Sequence, residues 1–308
     1  MAAAHAFASM IDALEKPAPL QGFIDKWLAA QPQQHVALAF VDGRRYPGHL
    51  ALAAFEQEML DAAYGVREPQ AVVAKLNWWV AELTAAPATG GQHPLTQVLF
   101  ADPRATSIPG AMWTAPALAA MAQLEQGTAA NFAAQLAAAR PLHGALAALE
   151  TAWWYGAHAD ASRATVVSSL GHLLHALRRL PQDAERDRLP LPMDRLAQHG
   201  LGRTDLRPGS AARDAAVKAQ LRELLKHWRT AGGMLGPLSV FRAIEFHQGG
   251  GLARRAAAAA DSLATLDAQA ARSDVWLALH AWRAARAWQR RRPAADAALP
   301  VTIASEPL

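Results

Sequence analysis

Apolar residues recur along most of the chain at intervals of three and four rather than two, the spacing of one helical face. In residues 49–63 (HLALAAFEQEMLDAA), Leu52, Phe55, Met59 and Ala63 fall on one stripe, followed by the stop signals Gly65 and Pro69. In 70–85, Val73, Leu76, Trp79 and Leu83 do the same before Pro87 and Gly90-Gly91. Similar patterns predict helices at 23–30, 115–138, 141–157, 162–180, 211–230, 237–247, 251–270 and 273–291, about ten in all. Breaks are expected just before Pro141 and at Gly249-Gly250-Gly251. Alanine dominates and β-branched runs are scarce, so no sheet is expected. The longest connections, 87–111 and 181–210, are rich in Pro, Gly, Asp and Arg. No fixed-period repeat or long polar linker divides the chain. Residues 1–292 therefore read as one all-α domain, and Pro293 onward as a disordered or surface-draped tail.

Composition narrows the function classes. A chain of 308 residues with 52% apolar and 18% charged side chains can bury a large core. No apolar run approaches the ~20 residues of a transmembrane helix. The Ala-rich start, Met1 to Met10, lacks the basic flank and apolar stretch of a secretory signal, which makes the cytoplasm the default location, with peripheral membrane association left open. The absence of cysteine excludes disulfides, thiolate metal sites and a Cys nucleophile. A net charge of +4 with one dense basic run, Arg290-Arg291-Arg292, argues for a solvated helix end and against nucleic acid as a partner.

The segment 162–183 (SRATVVSSLGHLLHALRRLPQD) separates into two faces. Val166, Leu170, Leu173, Leu174 and Leu177 form a core stripe. Ser168, His172, His175 and Arg179 follow at i+4, i+3 and i+4 on a polar ridge that Asp183 extends past Pro181. Such a ridge is either a wet surface or the lining of a central cavity, where its polar groups need partners or a ligand.

From the end of the ridge onward, RRLPQDAERDRLPLPMDRLAQHGL (178–201) resembles the block of squalene and phytoene synthases that runs from their second aspartate-rich motif into an LP-x-D-x-L-x-x-HG-L loop, here Leu191 to Leu201. KLNWWVAEL (75–83) followed by His93-Pro94 is similar to the block in which an aromatic pair precedes an HP element, and helix 49–63 occupies the place of the first aspartate-rich motif. The segment with Trp276 and Trp282 agrees more loosely, so the likeness spans about residues 20–290. The resemblance implies an isoprenoid-synthase-like helical bundle around a central cavity. It also implies head-to-head condensation of prenyl diphosphates, which needs two facing carboxylate clusters that hold magnesium through oxygen ligands.

The acidic positions that the resemblance implies are mostly replaced. The first motif falls on Leu60, Asp61 and Tyr64, of which Asp61 is acidic. Glu56 and Glu58 lie nearby at other angles on the helix and are weak substitutes, with Glu58 kept as a candidate binding residue. The second motif falls on His175, Arg179 and Asp183, flanked by Arg178, with Gln182 in place of the family glutamate. In the following loop Asp187 and Pro190 replace a glycine and a tyrosine, whereas Arg188 is kept. Arg179 puts a permanent cation where a divalent ion belongs. Two like charges ~4 Å apart cost about 4 kcal/mol at an effective dielectric near 20. An arginine can instead hold a phosphate bidentately, so His175, Arg178, Arg179 and Arg188 are the candidate anion-binding groups.

The expected function is a squalene/phytoene synthase-like protein without magnesium-dependent prenyl transfer. It would bind an isoprenoid diphosphate, an anionic lipid or a protein partner; the family's eroded branch that includes a mitochondrial complex I assembly factor offers a precedent for a non-catalytic role. In this reading no cofactor is expected. The alternative is an active divergent transferase using Asp61, Asp183 and Mg2+. A metal pair at His172 and His175 with Asp183 as third ligand is a weaker candidate, because no glutamate completes a zinc motif. His199 reads as a turn organiser, Trp78-Trp79 and Trp153-Trp154-Tyr155 as core fillers, and Gly249-Gly250-Gly251 as a helix break rather than a phosphate loop.

Overall fold

The computed structural model describes residues 19–65, 68–186, 189–270 and 275–291, and within them the chain is helical with no strand. Proline sets many of the starts, since its fixed φ suits the first helical turn and its missing N–H costs nothing there. Helices α1 (Pro19–Ala30), α2 (Pro47–Tyr64), α3 (Pro69–Thr89) and α4 (Pro94–Ala101) all begin on one. They are followed by α5 (Gly110–Gln123), α6 (Phe132–Tyr155), α7 (Ser162–Arg178), α8 (Leu180–Glu185) and α9 (Met193–Gln198). The last four are α10 (Ala211–Gly233), α11 (Val240–Ala258), α12 (Ser262–Ala270) and α13 (Val275–Arg291).

The HP element has a local reason. The His93 ring nitrogen Nδ1 accepts a hydrogen bond from Leu95 N–H at 3.1 Å and so caps α4, with Pro94 at its first position. The LPMDRL loop is pinned from outside, where Met193 and Asp194 N–H donate to the carbonyls of Ala129 and Ala130 at 2.9 Å each. Gln135 Nε2 on α6 also donates to Pro190 O at 2.7 Å.

Two apolar clusters organise the bundle. One gathers Phe55, Met59, Leu76, Trp79, Trp113, Trp153, Trp154 and Trp288, the other Leu170, Leu173, Leu177, Leu221, Leu224 and Leu266. The aromatic pairs are thus mostly core, although Trp78 stays 44% exposed beside buried Trp79. Helix α7 lies against α6, α10 and α11, and α2 against α1, α4, α5 and α6. That arrangement brings the two motif-bearing helices, α2 and α7, to the inside of the molecule.

Three expected boundaries differ. Pro141 sits inside α6, and the break falls earlier, after Gln123 around Gly127. The hydrogen bond lost at Pro141 is outweighed by burial of Leu142 and Leu146, one turn apart on the same face. Gly249-Gly250-Gly251 does not break a helix but continues α11. The missing side chains let the Trp228 ring lie on the backbone, where a Cβ on Gly249 would come within 2.5 Å of it. Trp228 Nε1 also donates to Phe246 O at 2.8 Å. The connections 87–111 and 181–210 contain α4, α8 and α9 rather than irregular chain, which raises the count from about ten helices to 13 among the described residues. The expected tail from Pro293 and the candidate Arg188 lie outside the described residues.

Candidate functional site

One face of α2 carries Gln57, Glu58 and Asp61 toward α1 and α3. Lys26 from α1 bonds to Glu58 and lies 2.7 Å from Asp61 Oδ2, while Lys75 from α3 reaches Glu58 Oε2 at 2.9 Å. Gln57 Nε2 donates to Asp61 Oδ1 at 2.8 Å. Burial tends to raise the Glu58 carboxyl, but the hydrogen bonds and charges of Lys26 and Lys75 outweigh it and hold Glu58 below the ordinary carboxylate range. Burial likewise works to lower Lys26, yet its bonds to Asp61 and Glu58 keep the ammonium above its usual value. Both shifts have one origin: the acids at the first motif already have fixed cations.

One turn beyond Asp61 on the same side of α2, Tyr64 reaches α7. The Tyr64 ring stacks on His172 with centroids 4.4 Å apart, and His172 stands 4.5 Å from His143 of α6. His143 Nδ1 is 3.1 Å from Ser168 Oγ. The polar ridge therefore runs from buried Ser168, through half-buried His172, to His175, which solvent reaches. Its histidines are neutral at ordinary pH. Burial, then the neighbouring His175, pushes His172 down to about 3. His175 is pushed to about 4 by the surrounding protein mass and then by the charges of Arg178 and Arg179. Burial, with His172 and Arg242 behind it, drives His143 well below its normal value.

Behind this stack sits a buried guanidinium. Arg242 of α11 donates to Glu150 Oε2 from Nε, to both Glu56 oxygens from Nη2 and to Glu245 Oε2 from Nη1, at 2.9, 2.9, 2.9 and 2.5 Å. Ser239 Oγ also donates to Glu150. Three carboxylates share one cation, so burial wins at more than one of them: it raises Glu56 against the opposing charge of Arg242, and it raises Glu245 to about 7, with Arg242 opposing and Glu56 adding to the rise. Glycine is required opposite: a Cβ on Gly171 of α7 would stand 1.8 Å from Glu245 Oε1.

The structure thus brings His175, Arg178 and Arg179 together at the C-terminal end of α7, where Arg179 is the capping residue. Arg178 leans toward Asp267 of α12 at 3.7 Å, a contact weakened by the 65% exposure of the acid. Asp183 follows in α8, half-buried, its N–H bonded to Arg179 O at 2.8 Å. Glu58 and Asp61 stand together on α2, bound to lysine. Among the described residues no three His, Asp or Glu side chains group as metal ligands would, so the suggested His172, His175 and Asp183 set does not form. Magnesium needs several carboxylate or other oxygen ligands. The six motif positions offer Leu60, a lysine-bound Asp61, Tyr64, His175, Arg179 and Asp183, a donor set that does not fit such a cluster.

Several residues of this site were not legible as a group. Lys26, Lys75, His143, Glu150, Arg242 and Glu245 come from α1, α3, α6 and α11 rather than from the two motif helices. A signal existed in Glu150, Arg242 and Glu245, isolated charges inside apolar runs (ALAALETAWW, SVFRAIEF), since buried charges are nearly always paired.

Comparison with known proteins bears on what this arrangement descends from. Residues 30–290 match the family model described as squalene/phytoene synthase. A dehydrosqualene synthase solved in complex with ligand superposes with a TM-score of 0.59 at 11% identity, covering 89% of this chain and 99% of the other. Squalene synthase HpnC from Alicyclobacillus acidocaldarius gives a TM-score of 0.53 at 16% identity, covering 90% of this chain and 96% of that one. At these identities the structures speak for a shared fold. No curated protein sequence matches the chain.

Proposed function

The chain belongs to the squalene/phytoene synthase family, and we propose that it binds the diphosphate of an isoprenoid, or a similar anion, without magnesium and without condensing it. The observation that carries this reading is the charge already installed at the two motifs. A metal ion at Asp61 must displace Lys26, and at Arg179 it must sit beside a guanidinium. The same cations are suited to a phosphate directly, because arginine matches its oxygens bidentately. In this role Arg179 and Arg178 take the diphosphate at the open end of α7, and neutral His175 donates or accepts one hydrogen bond there. The Tyr64–His172–His143 stack closes the inner end, where the metal-bound diphosphate of an active family member would need carboxylates.

A divergent transferase is the second reading, favoured by the survival of Asp61 and Asp183. Calorimetric titration with farnesyl diphosphate separates the two. The proposal expects binding in EDTA that is unchanged by added magnesium and falls about tenfold or more in Arg179→Ala, the loss of one charged hydrogen-bonding group. Binding that requires magnesium and disappears in Asp183→Ala would establish the transferase reading instead.

A further inference from the structure

On the side of α11 that faces away from Arg242 and Glu245, three helices enclose a cleft of about 650 Å³. Its chemistry follows from helical spacing. Leu225, Trp228, Arg229 and Gly232 of α10 recur at i, i+3, i+4 and i+7, and His247, Gly251 and Arg254 of α11 at i, i+4 and i+7. Helix α13 supplies the third wall with Trp276 and Leu277. Its own buried stripe, Leu277, Ala281, Ala285 and Trp288, fixes the opposite face outward. The glycines of α11 form a flat floor on which the Trp228 ring lies, a Cβ on Gly250 falling 3.0 Å from it.

Two features give this cleft a ligand preference. Arg229 and Arg254 are exposed at its edge, and no acidic side chain occurs among the described residues that line it. Neither arginine has an ion pair with another described residue. Alongside them, Val275 and Trp276 at the start of α13 are 77% and 66% exposed, and Trp282 on the same helix is 47% exposed with the Arg286 guanidinium 5.9 Å from its ring centre. Exposed tryptophan with arginine on an amphipathic helix is the composition that settles at a lipid–water interface, where the indole sits at the headgroup level and the guanidinium meets phosphate.

We propose that the cleft between α10, α11 and α13 docks the phosphate headgroup of an anionic lipid at a membrane surface, with Arg229 and Arg254 on the phosphate and Trp276 in the interfacial layer. The ligand class is set by complementarity: an anionic head for the arginines and an apolar body for Trp276 and Leu225. This site is separate from the α2–α7 site and does not depend on that site's function.

The test is sedimentation of the full chain with vesicles of phosphatidylcholine alone or with one-third phosphatidylglycerol, at low and moderate salt. The proposal expects binding to the anionic vesicles, weakening as salt rises. Each basic residue near an anionic surface contributes about fivefold to the partition coefficient, so Arg229→Glu with Arg254→Glu should lower it by at least about thirtyfold. Both side chains are exposed, and an unchanged far-ultraviolet spectrum and melting temperature verify the fold of the variant. Trp276→Ala should also weaken binding to the anionic vesicles. Equal binding to neutral vesicles, no vesicle binding, or anionic binding retained by the double variant would each overturn the proposal. Saturable binding of inorganic pyrophosphate at these arginines without vesicle binding would overturn it too, by identifying a free phosphate as the ligand.

Discussion

Glu245→Gln should stabilise the protein at alkaline pH and change it little at pH 4–5. In the native state burial raises the Glu245 carboxyl from 4.5 to about 7, against the opposing charge of Arg242. The folded state therefore binds more protons than the unfolded state between those values, and stability falls as pH rises through the window. A rise of about 2.5 units at about 1.4 kcal/mol each corresponds to about 3 kcal/mol, fully lost above pH 7. Histidines pull the other way. His172, His175 and His247, held at about 3, 4 and 4 when folded, add protons on unfolding, so their contribution is present above pH 6.5 and lost as pH falls. The wild type should consequently be most stable near neutrality. The difference between Glu245→Gln and wild type isolates the glutamate, because glutamine is its neutral isostere beside Arg242 and the histidine contributions cancel. Urea unfolding at pH 5, 6, 7 and 8 should show the variant gaining progressively, up to about 3 kcal/mol at pH 8. A difference that stays flat with pH, or a variant less stable than wild type at pH 8, would refute the assignment of an excess carboxylate to this cluster.

Other substitutions test the packing around the site. Gly171→Ala drives a methyl into Glu245 and should cost about 1–3 kcal/mol, read as a lowered melting temperature. Gly249→Ala meets the Trp228 ring at 2.5 Å and should cost a similar amount, with a change in tryptophan fluorescence. Lys26→Ala should cost under about 1 kcal/mol in urea unfolding, since Lys26 is 48% exposed and Lys75 still pairs with Glu58.

Helix class and the polar ridge were legible in the sequence because each depends on local spacing, and the two motif helices were legible through the family resemblance, but whether the ridge faces solvent or the interior was not. Pro19, Pro47 and Pro94 each begin a helix, whereas apolar spacing alone puts the first two starts at 23 and 49 and leaves 94–101 in a connection. The misread positions are those where a distant residue overrides the local signal. Three successive glycines favour a break until Trp228, far away in sequence, covers them, and Pro141 favours a boundary until the surrounding leucines are buried. The charge network is the extreme case: Arg242 binds Glu56, 186 positions away, and Lys26 binds Glu58 across 32. The family resemblance points to Asp61, with Glu58 beside it, as candidate acids. It does not reveal that lysines on two other helices have already neutralised them. The erosion at Tyr64 and Arg179 was visible residue by residue, whereas the stacking of Tyr64 on His172 required the fold.

The central claim is that the two motif helices retain a site for an anion but not for metal-dependent ionisation. Its most direct test is release of diphosphate from farnesyl and geranylgeranyl diphosphate by the purified chain, with and without magnesium. No release above the uncatalysed background is expected under either condition, from protein that binds the same diphosphates in EDTA. Magnesium-dependent release abolished by Asp61→Ala or Asp183→Ala would contradict it.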